Sequence, residues 1–321
     1  MVASSGLSIN TYSNTSNLLV AANSTASHSV DQSKRLIFIC VFGLIALTGF
    51  LINLIVIAYV IVKRLYRNFV SSIFIAHLSF TNAVACASLI PMFLTNLNND
   101  NPVFGSRHFC NFQAFVTFTI WPVMYYMTTC IAGVHLLTFA RIHYDQLFGL
   151  HPAIICTTAW IIGASLGLPC MTNSSIISYD PVYHYCLWRI NPSGLKFLAY
   201  VILLGIMLPI FFTSYAYVRV LAIFYHAPIV FETLGIFKSR YLIFALLATP
   251  LVQVPFFIGR FFDAPSPYAA IIFMFMAFLP SINHSYLYGV SIFMMKEDDM
   301  ALTSRSHKAT YQAPGVVAQE L

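Results

Sequence analysis

Seven long apolar runs, each parted from the next by a short polar stretch, constrain this chain more than any motif in it. They lie at about Leu36 to Val62, Phe69 to Leu94, Phe109 to Ala140, Pro152 to Met171, Leu195 to Tyr225, Ile236 to Phe262 and Pro267 to Met295. A helix needs roughly 20 apolar residues to cross a bilayer, and within the hydrocarbon every backbone N–H and C=O must be paired inside its own segment. Each run is long enough, so the expected fold is an all-α membrane protein, a seven-transmembrane helix bundle. Only 8% of the residues are charged and 59% are hydrophobic, against roughly 25% charged in soluble domains. A soluble fold has nowhere to hide that much apolar surface. The runs consume most of the 321 residues and show no internal repeat. The expected organisation is a disordered outer segment 1–35, one bundle 36–295 and a cytoplasmic tail 296–321.

Orientation follows from charge and from the first segment. With the N-terminus outside, inner loops and tail hold ten Lys and Arg residues, among them Lys63, Arg64, Arg67 and Arg141, and outer segments hold six. Basic residues mark the cytoplasmic side, although Lys34 and Arg35 at the first run pull the other way. The scattered bases form no basic aromatic face of the kind that binds nucleic acid; the lipid bilayer is the expected surrounding. The first 33 residues are rich in Ser, Asn and Thr and contain the glycosylation acceptors Asn14-Thr15-Ser16 and Asn23-Ser24-Thr25, which are of use only outside the cytosol. No cleavable signal pattern precedes them, so the first span is expected to direct its own insertion at the plasma membrane.

Seven cysteines are present, most of them inside spans, where they serve as small apolar packing residues. Cys110, opening the third span, and Cys186, in the longest outer loop, face an oxidising compartment. A bridge between them would pin that loop over the bundle, with Cys170 standing as a rival partner for either. The same loop offers a third acceptor, Asn173-Ser174-Ser175.

Further marks run in order from the first span to the last. Span one has Gly49-Phe50-Leu51-Ile52-Asn53; span four has Trp160 with Pro169 beyond it; span five has Pro209 and, eight residues on, Tyr217. Span six reads Phe244-Ala245-Leu246-Leu247-Ala248-Thr249-Pro250, and span seven Pro280-Ser281-Ile282-Asn283-His284-Ser285-Tyr286-Leu287-Tyr288-Gly289. In these the chain resembles the rhodopsin-like G-protein-coupled receptors. Cys110-Asn111-Phe112-Gln113-Ala114-Phe115 and Arg141-Ile142-His143-Tyr144 look like odorant receptors, and His77-Leu78-Ser79-Phe80-Thr81-Asn82 is similar to vomeronasal type 1 receptors. The resemblance implies a chemosensory receptor that binds a small molecule and signals through a heterotrimeric G protein, with arrestin as a second partner.

It also implies where ligand and switch reside. The outer halves of spans three, five, six and seven would supply Thr117, Phe118, Trp121, Gly205, Leu251, Gln253, Met274 and Phe278. These are mostly apolar or aromatic, and Thr117 stands where amine receptors carry a carboxylate, so the expected ligand is largely apolar, oriented by Gln253 or Thr117. Arg260 and Asp263 read as a rim pair. The switch residues would be Asn53, Asn82, His135, Pro209, Tyr217, Phe244, Pro250, His284 and Tyr288. Proline removes a backbone bond and kinks its helix, letting the inner end swing out while the outer half closes on a ligand. Several switch positions depart from the family: Asn82 replaces an Asp that helps hold sodium, Ala248 a Trp, His284 and Ser285 an Asn-Pro. His135 replaces the span-three Arg and reads in two ways, as a group that hydrogen-bonds a tyrosine such as Tyr217 when the bundle opens or as a buried, uncharged packing histidine.

Other functions fit poorly. The last span has no lysine to carry retinal, and the spans hold no paired carboxylates or His-Glu-x-x-His for an enzyme. No cofactor is implied. The runner-up is a seven-helix membrane protein that does not couple, a decoy or trafficking partner, and His135 is its main support.

Overall fold

The computed structural model describes residues 32–67, 69–98, 107–140, 142, 144, 149–173, 175–226, 237–262, 266–284 and 286–289. The acceptors Asn14 and Asn23, most of the loop before span six, Asp263, Ser285 and the tail lie outside them. Among the described residues seven helices are long and apolar enough to span a membrane: Gln32–Val62, Val70–Asn98, Arg107–Phe139, Pro152–Thr172, Pro192–His226, Ile243–Phe261 and Pro267–Gly289. They are numbered here as spans one to seven. Span three is the most buried and span one the least, which puts span three at the bundle axis and span one at its edge.

Small residues decide how closely the helices approach, because lipid gives apolar side chains no reason to leave it and packing must hold the bundle. A Cβ on Gly163 of span four would stand 2.5 Å from Val123 Cγ2 and 2.7 Å from the Thr119 carbonyl of span three. One turn on, a Cβ on Gly167 would strike the Thr119 side chain. Spans one and seven meet in the same way: a Cβ on Gly49 would lie 2.7 Å from Ile282 Cγ1. The Asn53 amide adds a polar tie there, donating to Gly49 O at 2.7 Å and to Ser281 O at 3.3 Å.

Three prolines mark departures from regular α-helix, each by a different route. In span five an α-helix, Pro192–Tyr200, passes through a π segment, Val201–Met207, into a second α-helix, Leu208–His226. Pro209 has no N–H for the preceding turn, and the Leu208 N–H reaches back to Leu203 O. The Leu204 carbonyl takes the Tyr126 hydroxyl of span three at 2.8 Å instead. In span six the helix tightens into a 3-10 stretch, Thr249–Gln253, around Pro250 and resumes at Val254–Phe261. In span seven the helix Pro267–Phe278 ends at a turn before Pro280.

One element was not expected of an all-α chain. After span four, β1 (Ile177–Asp180) pairs antiparallel with β2 (Tyr185–Trp188), Ile177 opposite Trp188 and Asp180 opposite Tyr185. Cys186 of β2 is bridged to Cys110 with a Cα–Cα distance of 5.4 Å. The rival Cys170 is a free, buried thiol. All four residues of β2 are buried, so this strand is a plug in one end of the bundle rather than a cover over it.

Candidate functional site

The hairpin end of the bundle gathers most of the residues expected to meet a ligand, and it fills the space between them with the hairpin itself. Thr117, Phe118 and Trp121 recur at three- and four-residue spacing on span three and so share one face; all are buried. The Thr117 hydroxyl lies 2.8 Å from the Tyr185 hydroxyl of β2. Burial lifts the Tyr185 phenol above its ordinary range and the bond with Thr117 opposes this in part, so the group stays neutral. Phe278 of span seven stands edge-on to Tyr185 with ring centroids 5.5 Å apart. Phe118 contacts Trp121 at 5.8 Å and Trp188 at 6.3 Å, and Phe256 of span six touches both indoles at 5.9 and 5.8 Å. Met274 is fully buried.

Two donors in this cluster, Trp121 Nε1 and Trp188 Nε1, find no acceptor, and neither does Gln113 Nε2. The Gln113 oxygen is engaged, accepting from the Cys186 N–H at 3.2 Å. The result is an aromatic, donor-bearing cluster closed by the hairpin, and the Asp180 carboxylate beside it is taken up by Arg260 at 3.0 Å.

Three expected ligand residues stand elsewhere. Leu251 is 66% exposed on the outer surface of span six. It is two residues from Gln253 in the 3-10 stretch, about 120° away round the axis at three residues per turn, so the two face different sides. Gly205 is packed out, since a Cβ there would stand 2.8 Å from Pro122 Cγ and 3.2 Å from Leu166 Cδ1. Gln253 is occupied: its oxygen accepts from the Tyr125 hydroxyl at 2.7 Å and its amide donates to Ala277 O at 2.7 Å. It is a clasp joining spans three, six and seven, not a free anchor. Of the expected rim pair, Arg260 meets Asp180 of β1 at 3.0 Å, and Asp263 lies outside the described residues.

Sequence reasoning missed Tyr125, Asp180, Tyr185 and Trp188. For the last two a signal existed, since they flank Cys186, and a bridge to span three draws its neighbours into the bundle.

Toward the opposite end lies a second polar cluster. A cavity of about 10 Å³ under Pro250 is lined by Tyr125, Thr128, Thr213, Ser214, His284 and Tyr288, among others, close to the smallest volume that holds a water molecule. His284 is buried there with Nδ1 unpartnered, and its ring lies 6.1 Å from that of Tyr288. Tyr288 interacts with Tyr217 and Thr128, and the Tyr217 hydroxyl is 3.3 Å from His135 Nδ1. His135, Tyr217, Tyr288 and Thr128 thus form one chain across spans three, five and seven. Asn82 is buried in span two. Phe244 does not join the switch, being 58% exposed on the outside of span six.

The family model for seven-transmembrane receptors of the rhodopsin family matches residues 52–258, from the middle of span one to the hairpin end of span six. The chain belongs to the rhodopsin family of receptors. Such receptors are multi-pass proteins of the plasma membrane, act through ligands and G proteins, and are not enzymes. No curated protein matches the chain.

Proposed function

We propose that this receptor detects a small, largely apolar molecule in a chemosensory role and passes the signal to a heterotrimeric G protein. The observation that carries the reading is the lining of the hairpin end, where Thr117, Phe118, Trp121, Met274 and Phe278 converge with Tyr185 and Trp188, all buried. Such walls favour an apolar ligand with one or two polar groups and offer a cationic amine no partner. The Cys110–Cys186 bridge supports an oxidising side for this end, and in this reading the N-terminus, Asn14, Asn23 and Asn173 are outside and the tail 296–321 is in the cytosol. Asn173 is exposed, as glycosylation requires. At the inner end, His135 takes the arginine's place as partner of Tyr217, and arrestin is the second cytosolic partner.

The non-coupling alternative rests on that same histidine. Both readings are tested by expressing the chain, verifying surface delivery, and screening small apolar odorants and lipids with cyclic AMP, calcium and arrestin readouts. Ligand-dependent G-protein output is the expected result. Silence toward a proven binder, relieved by His135→Arg, would replace the receptor reading with the decoy.

A further inference from the structure

We propose that the β1–β2 hairpin is the resident occupant of the ligand site, and that by clamping span six to span three it gives the receptor a signalling output with no ligand added. This rests on the receptor reading above and adds an activity to it.

The hairpin has two sets of attachments, and they fall on two helices. Toward span three run the Cys110–Cys186 bridge, the Cys186 N–H to Gln113 at 3.2 Å and the Tyr185 to Thr117 hydroxyl pair at 2.8 Å. Toward span six, Trp188 stacks on Phe257 with an interplanar angle of 22° and stands edge-on to Phe256. Arg260 pairs with Asp180 at 3.0 Å and donates to the Trp188 carbonyl at 3.3 Å. The guanidinium also sits 5.9 Å from the Trp188 ring and 5.9 Å from the Tyr183 ring. Both members of the ion pair are about seven-eighths buried, with side chains 12% and 13% exposed, so solvent screens them far less than a surface pair.

A diffusible ligand acts on such a bundle only through contacts that differ between its two arrangements. The hairpin already makes contacts of that kind. Its aromatic side chains touch Thr117, Phe118 and Phe278, the side chains a ligand would use, and its grip on span six lies beyond the 3-10 stretch at Pro250. Holding that end inward favours an outward inner end. The inner end shows the matching feature, the His135 to Tyr217 bond at 3.3 Å, which is the pairing expected of an open bundle. An added ligand would work by displacing Tyr185 and Trp188.

The test uses the full chain with no ligand, measuring G-protein activation at matched surface density. The native chain should exceed untransfected cells, and Trp188→Ala and Arg260→Gln should each lower the output at least threefold. Exchanging the charges, Asp180→Arg with Arg260→Asp, should recover part of it, a rescue that general loss of folding does not give. Adding 3-methylindole should restore output in Trp188→Ala and leave the native chain unchanged. A second readout needs no G protein: spin labels at Val62 and Phe244, 75% and 58% exposed, in a Cys40→Ala background reconstituted in nanodiscs. The Val62 to Phe244 distance should shorten in both hairpin variants. Output that rises in Trp188→Ala would make the hairpin a restraint and overturn the proposal, as would unchanged distances. Shortened distances with every G-protein arm silent would uphold the clamp and overturn the coupling reading instead.

Discussion

The clasp at Gln253 allows a sharp prediction, because one side chain there serves two helices at once. Tyr125→Phe deletes a buried hydroxyl and leaves the Gln253 oxygen, 2.7 Å away, without its donor. Stranding a buried polar group costs about 1–3 kcal/mol, while interhelical hydrogen bonds within membranes average about 0.6 and reach about 1.7 kcal/mol. With both residues at most 2% exposed, the loss should fall in the upper part of the membrane range, about 1–1.5 kcal/mol. Gln253→Leu removes this bond and the one to Ala277 O, so about 2 kcal/mol is expected. The two changes share one interaction, and the double variant should fall short of their sum by about 1 kcal/mol. The assay is reversible unfolding of the purified protein in mixed micelles on titration with a denaturing detergent. Additivity within about 0.3 kcal/mol would refute the pairing and, with it, the claim that Gln253 is unavailable to a ligand.

Other consequences are simpler. Gly163→Val should cut the folded, surface-delivered fraction severely, since its first carbon already meets the Thr119 backbone at 2.7 Å; a near-native yield on quantitative surface labelling would contradict that packing. Cys110→Ser and Cys186→Ser should destabilise equally, by up to about 4 kcal/mol for a bridge closing 76 residues, and the double variant no further. Unequal losses in the same unfolding assay would point to a role for Cys170. Asn14→Gln, Asn23→Gln and Asn173→Gln should each remove one step from the glycosidase-sensitive mobility shift on gels. Retention of the full shift in the triple variant would show that other sites carry the glycans.

Much of the frame was legible because lipid imposes one rule, a long apolar helix, and the seven runs obey it within a few residues at most of their ends. The breaks in regular α-helix at Pro209, Pro250 and Pro280 were legible for a similar reason, as proline lacks a backbone donor whatever surrounds it. Which face each helix turns inward was much harder to read. In a span apolar all round, periodicity cannot separate lipid-facing from core residues, and this is why Leu251 and Phe244 were placed inside and lie outside. The hairpin was hidden differently. Its strands have only four residues each, its turn 181–184 contains no glycine, and its position comes from a bridge to a residue 76 positions away. The chain from His135 to Thr128 was half visible: a bond from His135 to Tyr217 stood beside a plain packing histidine as a reading of the family spacing, and the Thr128 end had no signal.

The π segment of span five has a meaning beyond the geometry of one proline. It holds a wider turn than the α-helices on either side, so Val201–Met207 takes up about one residue more than α pitch would. Drawing it to α pitch with all its residues kept would turn Pro192–Tyr200 by about 100° relative to Leu208–His226. Phe197, now edge-on to Phe118 at 5.1 Å, would leave the cluster and another side of the helix would enter it, and deleting one residue at the same time would bring Phe197 back. The pitch of one turn thus sets which wall of the site span five supplies, leaving every lining residue of the other spans as it was.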